Sequence, residues 1–172
     1  MSSKKRVSRT RSGKRINMKL VRESALVRAK VFEAIGHFIF QFSQLEFTIR
    51  FALAAYLKLP DEYFDAITGP YDFRMLVAVA SKIGQLRHPE RKDQIKKTYD
   101  DCFTLMEVRN HVAHGMWQDG ITEWSVRHWN RNKLEATQIP YTSDELNTHA
   151  ARAQRLLKQV MGFKPYRATR VR

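Results

Sequence analysis

One cysteine, Cys102, stands among 172 residues, so the chain makes no internal disulfide and holds none of the multi-cysteine zinc patterns. A reducing compartment fits that usage. The seven glycines are scattered and build no phosphate-cradling loop, and no G-x-S-x-G elbow presents a serine nucleophile. No internal repeat is present. The apolar stretch from Val31 to Leu59 is interrupted by Glu33, His37, Gln41, Gln44, Glu46 and Arg50, which excludes a membrane span, and the N-terminus has no signal-peptide pattern. The expectation is a cytoplasmic protein with no membrane partner. His37, His88, His128 and His149 have no ligand spacing with one another or with an acid cluster. No metal site and no cofactor is therefore implied.

Acid is missing from both ends. Lys4, Lys5, Arg6, Arg9, Arg11, Lys14, Arg15, Lys19 and Arg22 meet no carboxylate before position 23, and residues 158–172 add Lys158, Lys164, Arg167, Arg170 and Arg172. These fourteen cations account for the whole net charge of +14, so residues 23–157 are electroneutral. The composition predicts a disordered basic tail over 1–22, a helical domain over 23–162 and a basic C-terminal tail over 163–172. Lys4, Lys5, Arg6, Arg9, Arg11, Lys14 and Arg15 are candidate contacts to an RNA backbone, which would weaken steeply with salt. No aromatic residue precedes position 32, so the first tail offers no base stacking.

Between the tails, hydrophobic periodicity predicts an all-α, up-and-down bundle of about four main helices. The first runs from about Val21 to Leu59 on Phe38, Ile39, Phe42, Leu45, Ile49, Leu53 and Tyr56, and ends before Pro60. A linker with a short helix spans 60–68 and closes at the Gly69-Pro70 turn; a second helix fits Phe73 to Leu86. Pro89 opens a third, from about Glu90 to His114, with Gly115 as its left-handed C-cap. From Trp117 to Gln138 the spacing shortens around the Asp119-Gly120 turn signal, predicting a small β-hairpin or irregular flap. Thr142 and Glu145 form a capping-box pair that starts the last helix, stopped by Gly162.

Three charges, Arg109, Glu46 and Arg50, fall on apolar arcs. Projected at 100° per residue, Arg109 lies amid Cys102, Leu105, Met106, Val108 and Val112, and Glu46 lies amid Phe42, Leu45, Ile49 and Leu53. A guanidinium there needs an ion partner or a polar cavity. Glu46 is the candidate partner and supporting residue, with Arg50 competing for it one turn on. Such a pair could also be a register-fixing salt bridge without chemistry. His114 shares a stripe with Asn110, whereas Arg109 lies about 140° away, so one helix does not align Arg109 with His114 and a second copy could supply the match. His111 points away from the apolar arc as a solvated residue. Asp100 and Asp101 sit on the solvated side, and the aromatics from Phe32 to Phe51 read as core and interface. Trp117, Trp124 and Trp129 read first as packing; all three could also stack on bases, and Trp117 is the candidate RNA-binding contact among them.

Arg109 and Asn110, then His111-Val112-Ala113, then His114 near a helix end resemble the signature of the HEPN superfamily. The Phe42 to Glu46 segment, Phe-Ser-Gln-Leu-Glu, also resembles that family, and the likeness covers roughly residues 25–160. The resemblance implies an all-α bundle dimerising through its motif helices, so that two copies of the arginine and histidine line one cleft. It implies a metal-independent endoribonuclease leaving a 2′,3′-cyclic phosphate, in toxin-antitoxin or phage-defence systems, with an antitoxin protein as a further partner. Carried over, His114 is the general acid or base, Arg109 the phosphate-stabilising cation, and Asn110 a residue orienting the motif or the RNA. The alternative is a non-catalytic HEPN-like module that binds protein or nucleic acid. Met116 stands where toxins paired with a nucleotidyltransferase carry a tyrosine, so that mode of control is not implied.

Overall fold

A computed structural model describes residues 18–119, 124–130 and 135–163. It is a helical bundle with a small antiparallel sheet against one end of it. The elements are α1 (Met18–Leu57), α2 (Phe64–Thr68), α3 (Phe73–Arg87), α4 (Lys92–His114), β1 (Met116–Asp119), β2 (Trp124–Asn130), β3 (Glu135–Tyr141) and α5 (Ser143–Gly162). Single 3₁₀ turns precede α2 and α4.

The long helix α1 supplies the spine, because Phe38, Phe42, Leu45, Ile49, Ala52, Leu53 and Tyr56 recur every three or four residues on one face and are all buried. It packs along α5, whose Leu146, Ala150, Ala153, Leu156 and Val160 form the matching stripe, and against α3. The other long contact joins α3 to α4 through Leu76, Val77 and Ala80 on one side and Ile95, Tyr99, Cys102 and Leu105 on the other. Each such side chain contributes about 1.5–3 kcal/mol by leaving water. Cys102 is sealed within this layer, and burial pushes its thiol up to about 12, which leaves it inert.

Helix ends follow local chemistry. α1 stops at Lys58, whose φ of 55° is left-handed and whose neighbour Leu59 donates back to the Ala54 carbonyl at 3.0 Å before Pro60. Asp72 caps α3 by accepting from the Met75 amide at 2.7 Å. The Thr142–Glu145 capping box starts α5, with both reciprocal bonds present.

Four boundaries differ from the sequence reading. α1 begins at Met18, within the stretch assigned to the basic tail, while Lys4, Lys5, Arg6, Arg9, Arg11, Lys14 and Arg15 lie outside the described residues. Phe163, assigned to the C-terminal tail, is buried in the core, with Arg91 over its ring and donating to the Gly162 carbonyl. The region after α4 is a three-stranded meander in the order β1-β2-β3 rather than one hairpin; Gly120 of the turn signal lies outside the described residues. Pro140 could join because β3 is an edge strand, where one missing amide breaks no inner ladder.

The fourth concerns Gly115, which is extended (φ −78°, ψ 156°) rather than left-handed. It is needed for space: a Cβ at that position would lie 1.9 Å from Val126 Cγ1 and 2.5 Å from the His111 carbonyl oxygen. The missing side chain lets β2 dock directly on the end of α4, and so sets where His114 stands.

Candidate active site

The last two turns of α4 carry Arg109 and Asn110, which line an open cleft, and His114, which meets Arg109 from outside that lining. Its walls come from three helices: Phe42 and Glu46 from α1, Asp72, Phe73 and Arg74 from α3, and Met106, Arg109 and Asn110 from α4. The cleft encloses about 350 Å³.

Arg109 Nη1 lies 3.1 Å from His114 Nε2 and 3.3 Å from Asn110 Oδ1, to which it donates. The helical projection predicts Arg109 to lie too far around the helix to meet His114 within one chain, yet the two meet in the same chain. A guanidinium on a long, flexible stem reaches well beyond its Cβ direction and so closes the five-residue gap. The charge also lies over the Phe42 ring, 5.9 Å from its centroid, a cation–π contact that supports it at the cleft's inner wall. Since a guanidinium only donates, this contact needs an unprotonated Nε2, with the neutral ring's proton on Nδ1. His114 is exposed, so its ring is open to a ligand.

Glu46 does not pair with Arg109. Its Oε1 accepts from Arg50 Nη2 at 2.7 Å, the competing i+4 contact. Arg50 also donates to the Tyr71 carbonyl at 3.0 Å and to that of Thr68. It thereby ties the α2–α3 connection to α1 and places Asp72 and Phe73 opposite Arg109. Arg74 and Glu107, 3.7 Å apart and both well exposed, join α3 to α4.

Trp117 is not free to stack on a base. It is half-buried, its Nε1 donates to the Val112 carbonyl at 3.0 Å, and its ring packs beside Trp124 and Tyr141. Trp124 is buried in the core cluster. Asp101 is likewise not merely solvated, since it pairs with Arg152 of α5 at 2.7 Å.

His111, which the helical pattern predicts to be solvated, instead stands in the seam between α4 and the sheet. Its Nδ1 lies 3.4 Å from Tyr141 Oη, and its ring centre is 4.8 Å from that of His128. Desolvation first, and then the neighbouring His128, lower its pKa below the ordinary 6.5, against a smaller raising effect of Glu107. Among the described residues, no three His, Cys, Asp or Glu side chains are grouped to hold a metal ion, and no helix is long and apolar enough to cross a membrane.

Asp72, Phe73, Arg74 and Met106 escaped the sequence reading of the site. The Asp72 cap is a readable helix-start signal, but nothing local says that the start of α3 faces Arg109. No family model matches the chain, and no curated protein and no solved structure matches it.

Proposed function

We propose that this chain is a metal-independent endoribonuclease of the HEPN type, acting on RNA in a toxin-antitoxin or phage-defence setting. The observation that carries the reading is the 3.1 Å contact between exposed His114 and Arg109, a residue that lines the cleft. In the free protein Arg109 occupies the imidazole nitrogen that would act as base. An RNA phosphate is the stronger acceptor for a guanidinium, being charged and able to take two parallel hydrogen bonds. Transfer of Arg109 onto that phosphate frees His114 Nε2.

The freed nitrogen then accepts the proton of the ribose 2′-hydroxyl, whose oxygen attacks the adjacent phosphorus. The P–O5′ bond breaks, leaving a 2′,3′-cyclic phosphate, and the departing 5′-oxygen takes a proton from an imidazolium or from water. Arg109 stabilises the charge that builds on the phosphoryl oxygens, and Asn110 orients Arg109 through Oδ1. A homodimer through the α4 helices would place a second Arg109 and His114 beside the first, supplying one histidine as base and the other as acid. The basic tails would add salt-sensitive affinity for the RNA backbone.

A non-catalytic module that binds protein or nucleic acid is the second reading, favoured by the outward aromatic face of α1, where Phe40, Phe47 and Phe51 are exposed. The deciding experiment is cleavage of a labelled structured RNA in EDTA by wild type, Arg109→Ala and His114→Ala, with product ends mapped. Cyclic-phosphate ends lost in both variants support the nuclease. RNA binding without cleavage, the same in all three proteins, supports the module.

A further inference from the structure

Part of the cleft takes no role in the phosphate chemistry. Glu46 gives Oε1 to Arg50, and among the described residues its Oε2 has no hydrogen-bond partner. Asn110 gives Oδ1 to Arg109, and its Nδ2 donates to no described group. Opposite them, the ring of Phe73 lies 4.6 Å from that of Phe42 and is half-buried, so one face of the pair borders the cleft. Beside the phosphate-holding arginine the protein thus presents a carboxylate pinned by Arg50, an amide donor and an aromatic wall. The volume of about 350 Å³ falls within the range of small-ligand sites, about 300–1,000 Å³.

Single-stranded RNA is read by stacking a base on an aromatic ring and bonding its Watson–Crick edge. Guanine alone presents two adjacent N–H donors there, N1–H and the N2 amine, next to an acceptor, O6. Adenine and cytosine set one amine beside an unprotonated ring nitrogen, which a carboxylate repels. Uracil sets one N–H between two carbonyl oxygens, which it also repels. A carboxylate only accepts, and the Asn110 amine only donates.

We infer that this cleft is a base-reading subsite and that its base is guanine. Glu46 accepts from N1–H and N2–H, Asn110 Nδ2 donates to O6, and Phe73 supplies the stacking face. The inference rests on the ribonuclease reading of the same site, and it makes cleavage selective for phosphates next to guanosine.

The test is binding of 3′-GMP, 3′-IMP, 3′-AMP and 3′-UMP to the full chain, followed by NMR titration. The expected result is that 3′-GMP binds about tenfold or more tightly than 3′-AMP and 3′-UMP, with 3′-IMP, which lacks the N2 amine, in between. Glu46→Gln, whose amide oxygen still accepts from Arg50, brings 3′-GMP down to the level of 3′-AMP. Asn110→Ala narrows the same gap and decides the matter if Glu46→Gln fails to fold. Affinities for 3′-GMP and 3′-AMP within about twofold, a guanine preference that survives both variants, or no nucleotide binding at all would each overturn the inference. Cleavage that needs Arg109 and His114 but ignores guanosine overturns the subsite and leaves the nuclease standing. Guanine-selective binding without cleavage does the reverse.

Discussion

Two histidines three residues apart, His111 and His114, end the same helix in opposite circumstances. His114 is exposed and lies within hydrogen-bond distance of Arg109, which lines the cleft; His111 is half-buried against the sheet, beside Tyr141 and His128. Neither difference is a property of the imidazole. It comes from which neighbour each side chain faces: solvent and Arg109 for His114, the docked sheet for His111. The comparison separates a histidine available for proton transfer from one whose removal of water penalises its charged form.

Activity provides the largest expected break between the two sides. Under the proposed function, His114→Ala and Arg109→Ala each reduce cleavage by about 10²- to 10⁴-fold, with stability within about 0.5 kcal/mol of wild type for exposed His114 and about 1 kcal/mol lower for Arg109, which loses its contact with Phe42. His111→Ala reverses that pattern, lowering the denaturation midpoint more than the rate. Single-turnover cleavage and urea denaturation on the same preparations check both, and equal rate losses at positions 111 and 114 would remove the distinction.

Gly115→Ala attacks the seam itself. The added methyl would meet Val126 and the His111 carbonyl, and overpacking of that kind costs about 1–3 kcal/mol. Because His114 is the preceding residue, the cleavage rate is expected to fall along with the midpoint. A smaller effect follows from Trp117→Phe, which keeps an aromatic ring but removes the donor to Val112. The expected loss is about 1 kcal/mol with RNA affinity unchanged. A drop in affinity measured by fluorescence anisotropy would return Trp117 to the role of base-stacking contact.

The weakest expected effect is a pH slope. His111 and His149 both have pKa values lowered from 6.5, chiefly by desolvation. The unfolded chain therefore takes up protons at these positions before the folded chain does. Their contribution to stability is complete above the unfolded pKa near 6.5 and is lost as pH falls towards the lowered folded values. Glu107 acts in the opposite direction on His111, as Glu145 does on His149. His111→Gln and His149→Gln should each flatten the fall in melting temperature between about pH 7 and pH 5. An unchanged slope in the double variant would place the acid sensitivity elsewhere.

Much of the bundle was legible because its causes are local. The 3.6-residue period of α1, α3, α4 and α5, Pro60, the Gly69-Pro70 turn and the Thr142–Glu145 box are short-range instructions, and the helices stand within a few residues of where these put them. Arg109, Asn110 and His114 were readable as one motif only through the family resemblance, and the structure sets Arg109 3.1 Å from His114 and 3.3 Å from Asn110. What escaped depends on distance or reach. A helical projection treats side chains as fixed spokes, so it missed the guanidinium of Arg109 crossing to His114 and left Arg109 and Arg50 competing for Glu46, which Arg50 takes. The Phe73 wall, the burial of His111 and the space reserved at Gly115 arise from elements far apart in sequence. None leaves a trace in the residues alongside it.

The bond from Trp117 to the Val112 carbonyl has a practical consequence. It attaches an indole fluorophore to the turn that ends in His114. Emission from the protein thus carries an optical readout of that turn, since unwinding it would break the bond and hydrate the ring. Loss of that turn can then be followed by the colour of the protein's own light, with no dye attached, once Trp124 and Trp129 have been replaced.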